Sequence, residues 1–201
     1  MTEPLISYNY QLNTQKIEHL NEHTVNQYDQ YGRTPLMYAM TPDEAELLIQ
    51  NGAKVNLKTP NGETALFLTR CPDIAKVLIL NKANVNVREN TDGYTILMNA
   101  CSTNNLELVR VLLLNGTQNS VNDTNNYGET ALMLTENVDI VRLLIQYGAN
   151  IHVKNIYGRS ALFTPEYKIY QLLIELGVDE NETDKCGILP LVYHQMNTTL
   201  F

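Results

Sequence analysis

Asp29-Gln30-Tyr31-Gly32-Arg33-Thr34-Pro35-Leu36 is the stretch whose reading decides the fold. A polar turn reaches Gly32, which takes a positive φ at no steric penalty. Thr34 then stands where a helix N-cap is wanted. Pro35 falls at the first helical position, where its missing N–H leaves nothing unsatisfied. A short helix is expected there, turning Leu36, Met37 and Ala39 inward. Pro42 cannot continue it, and Thr41 or Asp43 can cap a second helix over residues 44–51 with an apolar stripe of Ala45, Leu47, Leu48 and Ile49. Gly52 supplies the left-handed stop, and Lys54-Val55-Asn56 runs out extended.

The same pattern recurs along the chain. Gly-x-Thr-x-Leu reappears as Gly62 to Leu66, Gly93 to Leu97 and Gly128 to Leu132, with Ser160 for Thr at Gly158 to Leu162 and a fading echo at Gly187 to Leu191. Successive Gly spacings are 30, 31, 35, 30 and 29 residues. A nearly constant period of this size predicts a solenoid of stacked units, because no pair of such short helices can bury its apolar face alone.

These residues resemble the ankyrin repeat: a turn with Gly, a Thr-Pro-Leu opening, two antiparallel helices, a Leu-Leu pair and the exit Gly52-Ala53-Lys54-Val55-Asn56. The resemblance covers about residues 29–191. It implies an all-α solenoid of helix-turn-helix units, with hairpin tips along one edge and the first helices lining a concave face. The expected organisation is one array over 1–201. Residues 1–28 form a polar N-terminal cap, the repeats are 29–58, 59–89, 90–124, 125–154 and 155–183, and 184–201 is a partial C-terminal unit.

Four of the five repeats are about three or four residues shorter than the usual unit between their Thr or Ser and the Leu pair, so the first helix or the loop after it must shrink. The Gly93 repeat keeps the full length but lengthens its exit over 115–122, where a protruding loop or a break in curvature is expected. The family's usual His after Thr-Pro-Leu is replaced by Met37, Phe67, Met98, Met133 and Phe163, predicting an apolar ladder. Lys82 stands where a helix stop prefers Gly, at a strain of about 1 kcal/mol unless Asn81 takes the role. His152 replaces the exit Asn of Asn56, Asn86 and Asn122 and is expected to make the same turn-stabilising hydrogen bond.

The chain carries 14 Lys and Arg against 22 Asp and Glu, a net charge of −8, so it lacks the basic footprint of nucleic-acid binding. Three scattered cysteines without a Cys-x-x-Cys pair argue against a disulfide framework or a zinc site and fit a reducing cytoplasm. No apolar run reaches the roughly 18 residues of a membrane span. His19 and His23 lie four apart on an expected helix but lack a third ligand, so no metal and no cofactor are expected. No phosphate loop, nucleophile elbow or Cys–His signature points to catalysis.

Binding is therefore expected at the tips and the concave face. Before the turn Gly stand Tyr31, Asn61, Asp92, Tyr127 and Tyr157; after it stand Arg33, Glu63, Tyr94, Glu129 and Arg159. Tyr and Arg are enriched at interface hot spots, and the post-Gly charge order would suit a partner of matching order. The alternative for each tip Tyr is packing on its neighbour to stiffen the stack. Met40, Arg70, Ser102, Thr103 and Glu136 join them from first-helix ends and inter-helix loops. The expectation is a non-catalytic, monomeric module that binds a protein or peptide, with a structural adaptor or self-assembling scaffold as the alternative.

Overall fold

The computed structural model describes residue 21 and residues 24–198. The expectations that fall on residues 1–20, 22 and 23 of the polar cap, His19 and His23 among them, lie outside the described residues. Those residues are all helical in regular structure, without a strand. No described helix is long and apolar enough to cross a membrane. The chain divides into two compact units, 1–90 and 91–201.

In the first unit a 3-10 turn, Pro35–Tyr38, precedes the helix Pro42–Gln50, and Ala65–Leu68 precedes Pro72–Leu80. The second unit runs Ile96–Ser102, Leu106–Leu114, Ala131–Leu134, Val138–Gln146, Tyr167–Glu175 and Pro190–Thr198. Within each unit the short first helices pack on one another and the nine-residue second helices pack on one another, giving two layers. Leu48, Leu66 and Leu78 fill the seam of the first unit; Leu97, Leu112, Ile140, Leu144 and Leu162 fill that of the second. Each such side chain contributes about 1.5–3 kcal/mol by leaving water, more than a nine-residue helix supplies by itself.

The shortening falls on the first helix. It spans seven residues only in the Gly93 repeat, shrinks to four in the Gly32, Gly62 and Gly128 repeats, and is reduced to a turn at Ala161 and Leu162. The second helices keep nine residues because each has its own start signal. Thr41 Oγ1 accepts the Glu44 amide while Glu44 Oε2 accepts the Met40 and Thr41 amides, a closed capping box. Asn105 and Asn137 cap the Leu106 and Val138 helices through their side-chain oxygens.

Neighbouring exits are stitched by asparagine. Asn26 donates to the Gly52 carbonyl and accepts the Lys54 amide; Asn56 does the same with Lys82 and Asn84, and Asn122 with Gly148 and Asn150. His152 departs from the expectation here. Its side chain makes no hydrogen bond to a described residue, and only its backbone amide is held, by Asn150. An imidazole nitrogen cannot reproduce the paired donor and acceptor of an amide at one carbonyl and one N–H.

Two further expectations are corrected. The long exit of the Gly93 repeat is not an open loop: residues Thr117–Ser120 wind into a 3-10 turn anchored by the buried Thr117 and Val121. Asn81 does not take over the helix stop. Lys82 itself holds φ +66°, while Asn81 keeps φ −92° and donates its amide to the Val77 carbonyl. Lys82→Gly removes the Cβ strain, less the greater freedom of Gly in the unfolded chain, and is expected to raise stability by about 0.5–1 kcal/mol. Urea unfolding measures it; an unchanged or lower midpoint would mean the lysine side chain compensates.

Candidate protein-binding surface

Five of the six tips, all but that at Gly93, are hairpins locked by the residue three before the Gly. Asp29 Oδ1 accepts the amides of Tyr31 and Arg33, Asn125 those of Tyr127 and Glu129, and Asn155 those of Tyr157 and Arg159. Thr59 holds the Glu63 amide through its hydroxyl. The faint echo at Gly187 has the same geometry, with Asp184 accepting the Cys186 and Ile188 amides, so the sixth tip is complete. Backbone bonds tie neighbouring turns inside each unit: Asn61 accepts from Asn90 in the first, and Asp92 from Asn126, Tyr127 from Ile156 and Tyr157 from Lys185 in the second. Pro60 occupies the donor position facing Tyr31 and has no N–H, so that bond is missing between the Gly32 and Gly62 tips.

Within each unit the tips leave pre-Gly tyrosines exposed, Tyr31 in the first and Tyr127 and Tyr157 in the second. Tyr31 is 61% exposed, Tyr157 51% and Tyr127 39%. Tyr127 is tethered, its hydroxyl donating to Asp92 Oδ1 at 2.8 Å. That hydrogen bond and the Asp92 charge raise the Tyr127 phenol above its ordinary value, with Tyr157 and Tyr94 adding to the rise. Asp92 is therefore engaged inside the edge rather than offered to a partner.

The post-Gly charges are turned back into the structure as well. Arg33 lies over the Tyr38 ring at 5.7 Å, Glu63 accepts from Thr59 Oγ1 at 3.1 Å and Glu129 accepts from Asn125 Nδ2 at 2.8 Å. Arg159 is the most committed. Its Nε and one terminal nitrogen both lie 2.9 Å from Asp184 Oδ2, and its guanidinium sits 4.8 Å from the Tyr193 ring centre and 5.8 Å from that of Phe163. Of the post-Gly charges only Arg159 is neutralised, by Asp184; the Glu63 and Glu129 carboxylates are hydrogen-bonded by neutral donors and keep their charge. Ser102 and Thr103 are exposed but close their own helix end, bonding the Asn99 and Ala100 carbonyls.

Three grooves gather the remaining candidates. In the first unit, Tyr31, Arg33, Asn61 and Glu63 line a cleft of about 290 Å³ with Tyr38 and Pro60. A second, of about 380 Å³, holds Met40, 69% exposed, and Arg70 beside Leu36, Met37 and Leu68. In the second unit a groove of about 490 Å³ joins Glu129, Glu136, Tyr157 and Arg159 to Met133, Phe163 and Tyr193. Volumes of this order suit the insertion of a few partner side chains.

Some contributors were not foreseen from the sequence. Tyr38 donates to Asp29 Oδ2 at 2.6 Å; burial opposes ionisation of this carboxyl, yet the Tyr38, Arg33 and Tyr31 hydrogen bonds hold it below its ordinary value. Asn104, at φ +52°, accepts from Thr135 Oγ1 and the Glu136 amide and so sets where Glu136 stands. Tyr193, from the last helix, supplies the ring beneath Arg159. None of these follows from repeat spacing, since each contact depends on which short helix end meets which tip. Among the described residues no group of His, Cys, Asp and Glu gathers as metal ligands would. The thiol of Cys101, wholly buried, is pushed far up by desolvation and is inert as a nucleophile.

Known proteins place this architecture. Residues 69–155 match a model of ankyrin repeats in three copies, and residues 31–60 match the single ankyrin repeat. No curated protein sequence matches the chain. The ankyrin repeat domain of Bcl-3, a member of the IkappaB family, is 25% identical over 84% of this chain and 81% of its own, with a TM-score of 0.70. A chain of the complex between the predatory endopeptidase Bd0816 of Bdellovibrio bacteriovorus and its immunity protein Bd3460 is 29% identical over 76% of this chain and 80% of that one, at 0.61. With the repeat signature, the two-layer helical stack and both family models in agreement, the chain belongs to the ankyrin repeat family, whose members are generally protein–protein interaction modules of typically non-catalytic fold.

Proposed function

We propose that this chain is a non-catalytic module that holds a protein partner through its hairpin tips and the grooves beneath them. The observation that carries the reading is the exposure of Tyr31 and Tyr157 on hairpins whose backbones are locked, each beside a groove. A large aromatic on a rigid turn buries area on binding while losing little conformational freedom, which is what an interface anchor requires. Of the residues expected to bind, Tyr31, Met40, Arg70, Glu136 and Tyr157 offer side chains outward, whereas Arg33, Asp92, Glu129 and Arg159 shape the tips.

Replacing Tyr31, Tyr127 and Tyr157 together with Ala is expected to lower partner capture at least tenfold while shifting the melting midpoint by only a few degrees, since only Tyr127 has a tip-to-tip hydrogen bond to lose. Affinity capture from the source cell, read by mass spectrometry beside a thermal melt, measures both. A large loss of stability with capture retained would mean the tyrosines stiffen the edge. The scaffold reading rests on Leu189, Leu191 and Val192, which stay exposed on and beside the last helix. It requires oligomers in light scattering that vanish when those three are made polar.

A further inference from the structure

The chain's negative charge is unevenly spread. Residues 1–90 hold 8 Lys and Arg against 10 Asp and Glu, while residues 91–201 hold 6 against 12. Within the second unit the large groove concentrates this imbalance. Its one basic lining residue, Arg159, is already neutralised by Asp184, whose side chain is 1% exposed and cannot be reached from outside. Glu136 and Glu129 form no ion pair with a described residue. Glu129 spends one oxygen on Asn125 and keeps the other, and Glu136 is exposed with only its backbone amide bonded.

Tyr157 lines the same groove, half exposed, and its hydroxyl bonds no described residue. The same groove shows how its aromatic walls receive a cation, because Phe163 and Tyr193 meet edge to face at 5.9 Å and hold the Arg159 guanidinium over their rings. A partner's cationic side chain would find a like combination in this groove: the Tyr157 ring, the Glu129 and Glu136 carboxylates, and an Arg159 already paired with Asp184.

Building on the protein-binding reading, we propose that this groove receives a basic, extended segment of the partner, with a Lys or Arg side chain lying along Tyr157 between Glu129 and Glu136. Opposite charge at the groove steers such a segment in and disfavours an acidic one, and the effect weakens as salt screens it. The groove volume accommodates a few side chains of an extended chain, and the locked tips leave little to reorganise on binding.

The test titrates the full chain, labelled with nitrogen-15, with a blocked heptapeptide bearing three lysines separated by alanines, and with its glutamate counterpart. The lysine peptide is expected to shift the amides of Glu136, Tyr157 and Arg159, and to bind about three- to tenfold more weakly when Glu129→Gln and Glu136→Gln are combined, the loss of two exposed pairs. Gln at 129 keeps an oxygen for Asn125, so the tip remains folded. Equal shifts with the glutamate peptide, or shifts spread over the remaining carboxylates and unaffected by the double variant, would overturn the basic-segment inference. The triple tyrosine variant separates the two levels. If it loses the partner while the lysine peptide shows no preference for the groove, only the basic segment falls. If it keeps the partner, the reading beneath falls too.

Discussion

Gly32→Ala is expected to destabilise the first unit by about 2–4 kcal/mol, whereas Gly148→Ala loses only about 1 kcal/mol. Both glycines hold positive φ, +69° and +86°, so both substitutions force a Cβ into the left-handed region. The difference is the surroundings. A Cβ on Gly32 would lie 2.4 Å from Pro60 Cδ and 2.9 Å from Pro60 Cγ, atoms of a ring fused to the backbone that cannot swing aside. A Cβ on Gly148 meets nothing within 4 Å. Urea unfolding compares the two, and amide exchange should show the Gly32 loss centred on the facing tip, Thr59 to Glu63, as nearest-neighbour coupling in a repeat array requires. Adding Pro60→Ala to Gly32→Ala should return the loss to about that of Gly148→Ala, because it removes the ring and restores an N–H facing Tyr31. Equal losses at both glycines without rescue would mean the tips are looser than their hydrogen bonds imply.

Sequence reasoning reaches this far because the repeat writes its own rules into the chain. The Thr34-Pro35 start, the turn Gly and the Leu-Leu stripe each act within a few residues, so their spacing alone fixes the helices and the tips. A length difference between the Gly93 repeat and the others is legible in the sequence, which leaves open whether helix or loop absorbs it. The structure puts it in the helix, seven residues at Ile96–Ser102 against four in the Gly32 and Gly62 repeats. What stayed hidden depends on packing. The exit at Thr117 reads as a surplus loop, yet its apolar neighbour Val121 draws it inward. Arg33, Glu63, Glu129 and Arg159 read as a line of offered charges, but residues of the same or the next tip reach them first. The carboxylate Asp184, 25 residues after Arg159, and the ring of Tyr193, a further nine along, meet that guanidinium only because a complete tip forms at Gly187, where the repeat signature had nearly faded.

That cluster gives the second large effect, and Asp184→Asn isolates it. Asn already performs the turn-locking role at Asn125 and Asn155, so the variant keeps acceptors for the Cys186 and Ile188 amides while removing the charge that faces Arg159. The melting midpoint at neutral pH is expected to fall by about 3–8 °C, since a half-buried guanidinium, 30% exposed, is left opposite an amide on its aromatic bed. Acid sensitivity should change with it. The Ile188 amide, with the Arg159 guanidinium and the Cys186 amide behind it, holds the Asp184 carboxyl below the usual 3.8 despite burial. As acid is added the unfolded chain takes up this proton first, so the contribution is complete above about pH 3.8 and drains away as pH falls through the lower folded value. The variant should lose less stability than the parent over that interval, with Asp29, also held low, supplying part of what remains. Freed from its carboxylate, Arg159 also adds a positive charge to the groove, so the lysine peptide should bind D184N more weakly at low salt and nearly as the parent at high salt. A variant that melts and titrates like the parent would show that Arg159 is held by the rings of Tyr193 and Phe163 alone.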